Sequence, residues 1–169
     1  LMYANGRGVP ENDAEAVRWF RLAAEQKISS AQSVLGKFYK DGIGVEQSYE
    51  KAANWYGLAA KQGNAESQYA LALMNDEGTG VPQNSEEAVK LYRLAAEQGH
   101  AFAQSNLGYS YQYGIGVKKN SIEATKWYRK SAEQGHAIAQ ANLGKMYYEG
   151  LGITKDFIRS YMWLTISAL

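Results

Sequence analysis

Apolar residues recur along this chain in two alternating stripes. Ala31, Leu35, Phe38 and Tyr39 fall at i, i+4, i+7 and i+8, one face of a 3.6-residue helix. Ala52, Tyr56, Ala59 and Ala60 form a second stripe of the same kind, with Trp55 beside it. A polar, glycine-bearing segment separates the two. The pattern predicts a helix pair, helix A followed by helix B. Helix A should stop at Gly42, because glycine readily takes the left-handed conformation that closes a helix. Val45 then offers an apolar anchor from the loop. Helix B should start behind Ser48, whose hydroxyl can accept a hydrogen bond from a free N–H of the first turn, and close at Gly63.

The same pair returns every 36 residues. Gln32, Gln68, Gln104 and Gln140 keep this period, as do Gly42, Gly78, Gly114 and Gly150 and their partners Gly44, Gly80, Gly116 and Gly152. Gly6 and Gly8 extend both glycine series backwards. Trp19, Trp55, Leu91, Trp127 and Trp163 share one register of helix B; Phe20, Tyr56, Tyr92, Tyr128 and Leu164 share the next. This strict period assigns them to repeated core packing. Val45, Val81, Val117 and Ile153 repeat the loop anchor, and Pro10 and Pro82 follow two of these positions. Asn12, Ser48, Asn84, Asn120 and Asp156 occupy the helix-B cap, with Glu15, Glu87 and Glu123 placed to complete three capping boxes. Gly36, Gly108 and Gly144, replaced once by Ala72, lie beside the buried face of helix A, where a small residue lets a neighbouring helix approach. Gly63, Gly99 and Gly135 close helix B; Lys27 breaks that series and predicts a differently shaped first turn.

A helix pair cannot bury both apolar faces alone, but stacked pairs can. The chain therefore reads as an all-α solenoid, a right-handed superhelix of antiparallel helix pairs. Residues 1–28 form a partial first repeat, 29–64, 65–100 and 101–136 three full ones, and 137–169 an incomplete last one, in a single array. Ala-Glu-Ser-Gln, Leu-Gly-x-x-Tyr, Gly-x-Gly-Val, Ala-x-x-Trp-Tyr and Ala-Ala-Glu-Gln-Gly together resemble the Sel-1-like repeat, a tetratricopeptide-like family abundant in bacteria. The stretch from Ala101 to His136 is the fullest match, departing only at Ser131. Elsewhere Lys27 and Ala72 replace Gly, Asn75 replaces Tyr and Leu91 replaces Trp. Tyr3 aligns with Tyr39 and Leu169 falls inside a helix B, so the chain reads as a fragment of a longer array. Its last helix carries Tyr161, Met162, Trp163, Leu164 and Ile166 without a polar cap, which predicts concentration-dependent self-association through the ends.

Composition narrows the function. Hydrophobic residues make up 46% and charged residues 21% of the 169, the balance of a folded soluble protein. Eighteen Lys and Arg against seventeen Asp and Glu leave +1, which does not point to nucleic-acid binding. Zero Cys removes disulfides, thiolate metal sites and Cys nucleophiles. No apolar run reaches the ~20 residues of a membrane span. No leader is visible at the start, so the compartment stays open between the cytoplasm and, with a signal peptide upstream, the periplasm or exterior.

Candidate chemistry is thin. The Gly-x-Gly turns lack the third glycine and the preceding strand of a dinucleotide site. His100 and His136, the only histidines, share a register after helix B and read as surface turn residues; two do not make a zinc site. Asp41, Asp76, Glu77 and Glu149 end helix A and read as a solvated face rather than as acids facing a sugar. Lys118, Lys119, Lys126, Arg129 and Lys130, offset by Glu123, form a local basic cluster, most simply another solvated face. No catalytic residue, cofactor or metal is expected.

A helical wheel puts registers 30, 33, 37, 40 and 41 opposite the buried Leu35 face of helix A. The resemblance implies that this face lines a concave groove. In the first full repeat it is polar, but later it gains Tyr69, Leu73, Phe102, Tyr109, Gln112, Tyr113 and Tyr148. Aromatic residues with few charges are what interface centres are made of. These seven are the candidate partner-binding residues, for a protein or a peptide. The resemblance implies a non-enzymatic scaffold or adaptor, in bacterial signalling or in contact with host proteins. Two rival readings are a spacer or regulatory module of a larger protein and an enzyme. The enzyme reading follows a cysteine-rich subset of the family linked to β-lactams, and this chain has no Cys.

Overall fold

Each predicted start signal becomes a helix boundary. A computed structural model describes residues 12–168; the calls on Tyr3, Gly6, Gly8, Pro10 and Leu169 lie outside them. Among the described residues there are nine helices and no strand. Unit 1, up to Asn84, holds α1 (Asp13–Glu25), α2 (Ser29–Asp41), α3 (Tyr49–Lys61) and α4 (Ala65–Glu77). Unit 2, from Ser85, holds α5 (Ser85–Glu97), α6 (Ala101–Tyr113), α7 (Ser121–Glu133), α8 (Ala137–Glu149) and α9 (Phe157–Ile166). Even-numbered helices are A helices and odd-numbered ones B helices. Within each unit every helix packs on the next, as in an all-α solenoid of helix pairs.

The helix-B caps form as the residue types predict. Asn12, Ser48, Asn120 and Asp156 accept from the N–H of Glu15, Lys51, Glu123 and Arg159. The capping boxes differ from expectation. The backbone N–H of Asn120 donates to the Tyr111 carbonyl of the A helix before it, at 2.8 Å, while Glu123 pairs with Lys126 at 2.6 Å. The cap donor is already used across the turn, so the carboxylate is free to serve its own helix face. Ser48 and Asp156 make the same bond back, to Tyr39 and Tyr147. Lys27 also departs from expectation. It keeps the left-handed turn of Gly63, Gly99 and Gly135, with φ 62, so the shape survives and the cost falls on a side chain.

Close packing explains the small residues. A Cβ on Gly36 would lie 2.8 Å from the Tyr56 ring, and one on Gly108 equally close to Tyr128. The second glycine of each turn abuts the backbone that starts the preceding helix B. A Cβ on Gly116 would fall 2.1 Å from the Ser85 carbonyl oxygen. Leu35, Leu107 and Leu143 are fully buried, as is Tyr128, and Trp127 is buried beside it. Trp19 and Leu164, in the first and last described helices, depart from the core assignment at 53% and 44% exposure.

The periodic glutamines are polar staples. Gln32, Gln68, Gln104 and Gln140 donate to the carbonyls of Ala24, Ala60, Ala96 and Ala132 near the ends of the preceding B helices, at 3.0–3.2 Å. Gln62 and Gln134 donate in turn to the side-chain oxygens of Gln32 and Gln104, both at 2.7 Å. Buried polar groups persist where they are hydrogen-bonded, which is why glutamine can repeat inside an apolar interface. A second repeated bond ties helix B to the following helix A: Arg21 donates to the Tyr39 hydroxyl, Arg93 to Tyr111 and Arg129 to Tyr147.

Candidate functional site

In unit 2 the outward face of α6 is aromatic and uncharged. None of the thirteen residues of α6 is charged. Phe102, Tyr109 and Tyr113 nevertheless stand 54%, 49% and 51% exposed. Their spacing along the helix puts them on one side, one above the other. The Tyr109 and Tyr113 rings touch at a centroid distance of 4.6 Å, and Phe102 meets His136 edge-on at 4.7 Å. On α8, Tyr148 is 58% exposed and leans on Phe157 at 5.6 Å. Ile138 is exposed on the same helix, and Lys145 pairs with Glu149 at 3.9 Å.

Gln112 does not share this face. It is 7% exposed and accepts a 2.7 Å hydrogen bond from the buried Tyr128 hydroxyl. Turned inward, its side-chain oxygen satisfies that phenol, which burial pushes well above the usual tyrosine range. The helical wheel placed the backbone position correctly and missed the partner. Ser105, in another of the predicted outward registers, is likewise buried.

In unit 1 the corresponding residues line a cleft of about 470 Å³. Tyr69 and Leu73 are half-buried in it, not fully exposed. Lys37 and Lys40 come from α2, Glu66 and Glu77 from α4, and Tyr49 and Tyr56 from α3. Burial, then Glu66 and Glu77, raise the Tyr69 phenol above its ordinary value; burial, then Asp41 and Glu66, do the same to Tyr56. The hydroxyls therefore remain neutral donors across the physiological range. Sequence reasoning put Lys37 and Lys40 on one outward face of helix A but missed Tyr49, because it belongs to another helix.

The remaining candidates have structural partners. His100 and His136 are caps rather than plain turn residues: their Nδ1 atoms accept from the N–H of Ala103 and Ala139 at the starts of α6 and α8. Burial lowers the His136 pKa. Asn64 does the same for α4, accepting from Ser67, whereas Ile28 gives α2 no side-chain cap. In the basic cluster Lys126 pairs with Glu123, Arg129 reaches Tyr147 and Lys130 lies over the Trp127 ring at 4.4 Å. Ser48 and Lys51 have the Ser-x-x-Lys spacing of one class of serine nucleophile. Here the Ser48 hydroxyl caps α3 and the Lys51 ammonium lies 5.5 Å from the Tyr39 ring centre. Among the described residues no three His, Asp or Glu side chains gather as metal ligands, and no helix is long and apolar enough to cross a membrane.

Comparison with known proteins places this architecture. The Sel1 repeat matches at residues 1–27, 29–64, 65–100, 101–136 and 137–169, in the register read from the glycines and tryptophans. The crystal structure of c5321, a protective antigen present in uropathogenic Escherichia coli strains displaying an SLR fold, is 39% identical with a TM-score of 0.95. It is matched over 99% of this chain, which spans 36% of the c5321 chain. A Sel1 repeat protein from Oxalobacter formigenes is 36% identical with a TM-score of 0.94, over 99% of this chain and 69% of its own. No curated protein matches the chain significantly. Sel1 repeat proteins are generally protein-interaction scaffolds, and the fold is typically non-catalytic. With five consecutive repeats matched and the same helix pairs in both solved relatives, the chain belongs to the Sel1 repeat family.

Proposed function

We propose that the chain is a non-enzymatic adaptor that holds a peptide or protein segment against the outward faces of its A helices. The observation that carries this reading is α6: an exposed helix face with three aromatic rings and no charge. Surface helices ordinarily turn charged residues to water. Exposed aromatic clusters mark interaction sites, since a ring contributes large buried area at little entropic cost and a tyrosine hydroxyl can still find a partner. In unit 2, Tyr109 and Tyr113 form the centre of the contact surface, with Phe102 and Tyr148 contributing; in unit 1, Tyr69 and Leu73 offer a contact of their own. Contact with a host protein is the setting favoured by the similarity to c5321, which is a protective antigen of a pathogen.

The test pairs binding with folding. Affinity capture with the wild-type chain and with Tyr109→Ala/Tyr113→Ala should show partner affinity weakened by about 2 kcal/mol or more, roughly thirtyfold, while the melting temperature barely moves. A large loss of melting temperature without a specific loss of binding would assign the two rings to the core and reject the reading.

A further inference from the structure

Within unit 2 the pair α8–α9 departs from the pair α6–α7 at its buried tyrosine. Tyr128 on α7 and Leu164 on α9 share one register, and both seat against a glycine of the preceding A helix. A Cβ on Gly108 would lie 2.8 Å from the Tyr128 ring, and one on Gly144 would lie 2.8 Å from Leu164 Cγ. The seat is the same, but leucine stops where the phenol ring goes on. Tyr128 reaches across to Gln112 and is fully buried, whereas Leu164 is half-exposed. In the register of Gln112 stands Tyr148, which is exposed and leans on Phe157 instead. Where α7 supplies a ring to α6, the pair α8–α9 has a cleft of about 460 Å³, lined by Ala141, Asn142, Lys145, Tyr148 and Leu164.

The lining says what fits. Leu164 and Ala141 offer an apolar floor, and the Asn142 amide and Tyr148 hydroxyl are groups that can hydrogen-bond. Lys145 is the charged member and stands in the register that Tyr109 occupies on α6. Its pair with Glu149, at 3.9 Å, is long and exposed, so it holds the ammonium weakly. A cleft of this size admits one side chain with its neighbours in a segment, and not a folded surface. One helix pair earlier, the group held in this seat is a phenol ring. We infer that the cleft between α8 and α9 takes an aromatic side chain of a partner segment, tyrosine or phenylalanine, with an acidic residue beside it. The ring lies on Leu164 and Ala141, as the Tyr128 ring lies on Gly108, and the carboxylate meets the Lys145 ammonium. This rests on the reading that the A-helix faces hold a partner, and it names the side chain held at α8.

Peptide titrations of the whole isotope-labelled chain, followed by amide NMR, test it. Ac-Gly-Asp-Tyr-Asp-Gly-NH2 should move the signals of Ala141, Lys145 and Leu164, and bind about tenfold more tightly than its analogue with Tyr changed to Ala. The analogue with both Asp changed to Asn should bind about threefold more weakly at low salt, and Lys145→Gln should erase that difference. Leu164→Tyr gives the seat a ring of its own and should abolish binding, with circular dichroism melts confirming that both variants fold. Equal binding of the Ala or the Asn analogue, an Asp preference kept by Lys145→Gln, undiminished binding by the folded Leu164→Tyr chain, or no shift up to about 10 mM peptide would each overturn the inference. Signals of the same residues that move on concentrating the chain alone would give the cleft to a second copy and overturn it too. Capture with Tyr109→Ala/Tyr113→Ala reads α6 and not this cleft, so failure here and failure of the adaptor reading give different results.

Discussion

Units 1 and 2 are built from one repeat and use it differently. Unit 2 keeps the Arg–Tyr bond twice, at Arg93–Tyr111 and Arg129–Tyr147, and gives α6 a neutral aromatic face. Unit 1 keeps that bond once, at Arg21–Tyr39. Its second repeat has Gly57 in the arginine register and Asn75 in the tyrosine register, so both partners are missing together. Asn75 turns instead to the Leu71 carbonyl of its own helix at 2.9 Å. Unit 1 also carries the uncapped α2 and the left-handed Lys27. The scaffold is thus most regular where the exposed face is most aromatic, and it departs from the repeat in the unit that holds the charged cleft. Rigid elements hold contact surfaces better than loose ones, because less ordering remains to be done on binding.

The sharpest way to break this comparison is steric. Gly116→Ala in unit 2 places a methyl group against the Ser85 backbone at positive φ and should cost about 3 kcal/mol by chemical denaturation. Gly135→Ala in the same unit shares the left-handed backbone but meets nothing within 4 Å, and should cost only about 1 kcal/mol. Equal losses would show that the backbone conformation, not the close approach, dictates these glycines.

A smaller effect tests the missing pair. Gly57→Arg with Asn75→Tyr should stabilise unit 1 by about 1 kcal/mol more than the two single changes added together, measured as a double-mutant cycle. A Cβ at position 57 meets only a Leu71 methyl, at 4.0 Å, so the arginine has room. Additive singles would mean that the Arg–Tyr bond contributes nothing beyond its parts. Lys27→Gly should stabilise the chain by about 0.5 kcal/mol, the left-handed cost less the added freedom of the unfolded glycine.

The smallest effect depends on pH. Burial lowers the His136 pKa in the folded chain, so the neutral ring is favoured there and its Nδ1 can accept the Ala139 N–H. Its contribution is fully present above the unfolded value of about 6.5 and is lost as pH falls from there through the folded value. Melting temperature should therefore decline from about pH 7 to about pH 5, and His136→Asn should lessen that decline while keeping a cap of the kind Asn64 provides. An unchanged pH profile in the variant would remove His136 from the titration.

Much of this was legible in the chain because the repeat states each local rule several times. Helix boundaries follow from Ser48, Asn120, Gly42 and Gly114, whose preferences are local and act within one turn of backbone. Gly36 and Gly108 announced the close approach of a helix, though not that its contact is a tyrosine ring. What failed was anything that needs a second partner. Gln112 looks outward by periodicity and is drawn inward by Tyr128. The capping boxes looked complete, yet the donor of Asn120 goes to Tyr111.

By itself the sequence determined the all-α repeat, its period, its caps and the register of its aromatic residues, because those depend on short-range geometry and on a pattern copied from repeat to repeat. Only the tertiary structure decided which polar groups are buried in pairs, that the glutamines staple helix ends, and that Lys37, Lys40, Tyr49 and Glu77 border one cleft. A hydrogen bond or a charged wall is a property of two surfaces brought together, and no single stretch of chain contains it.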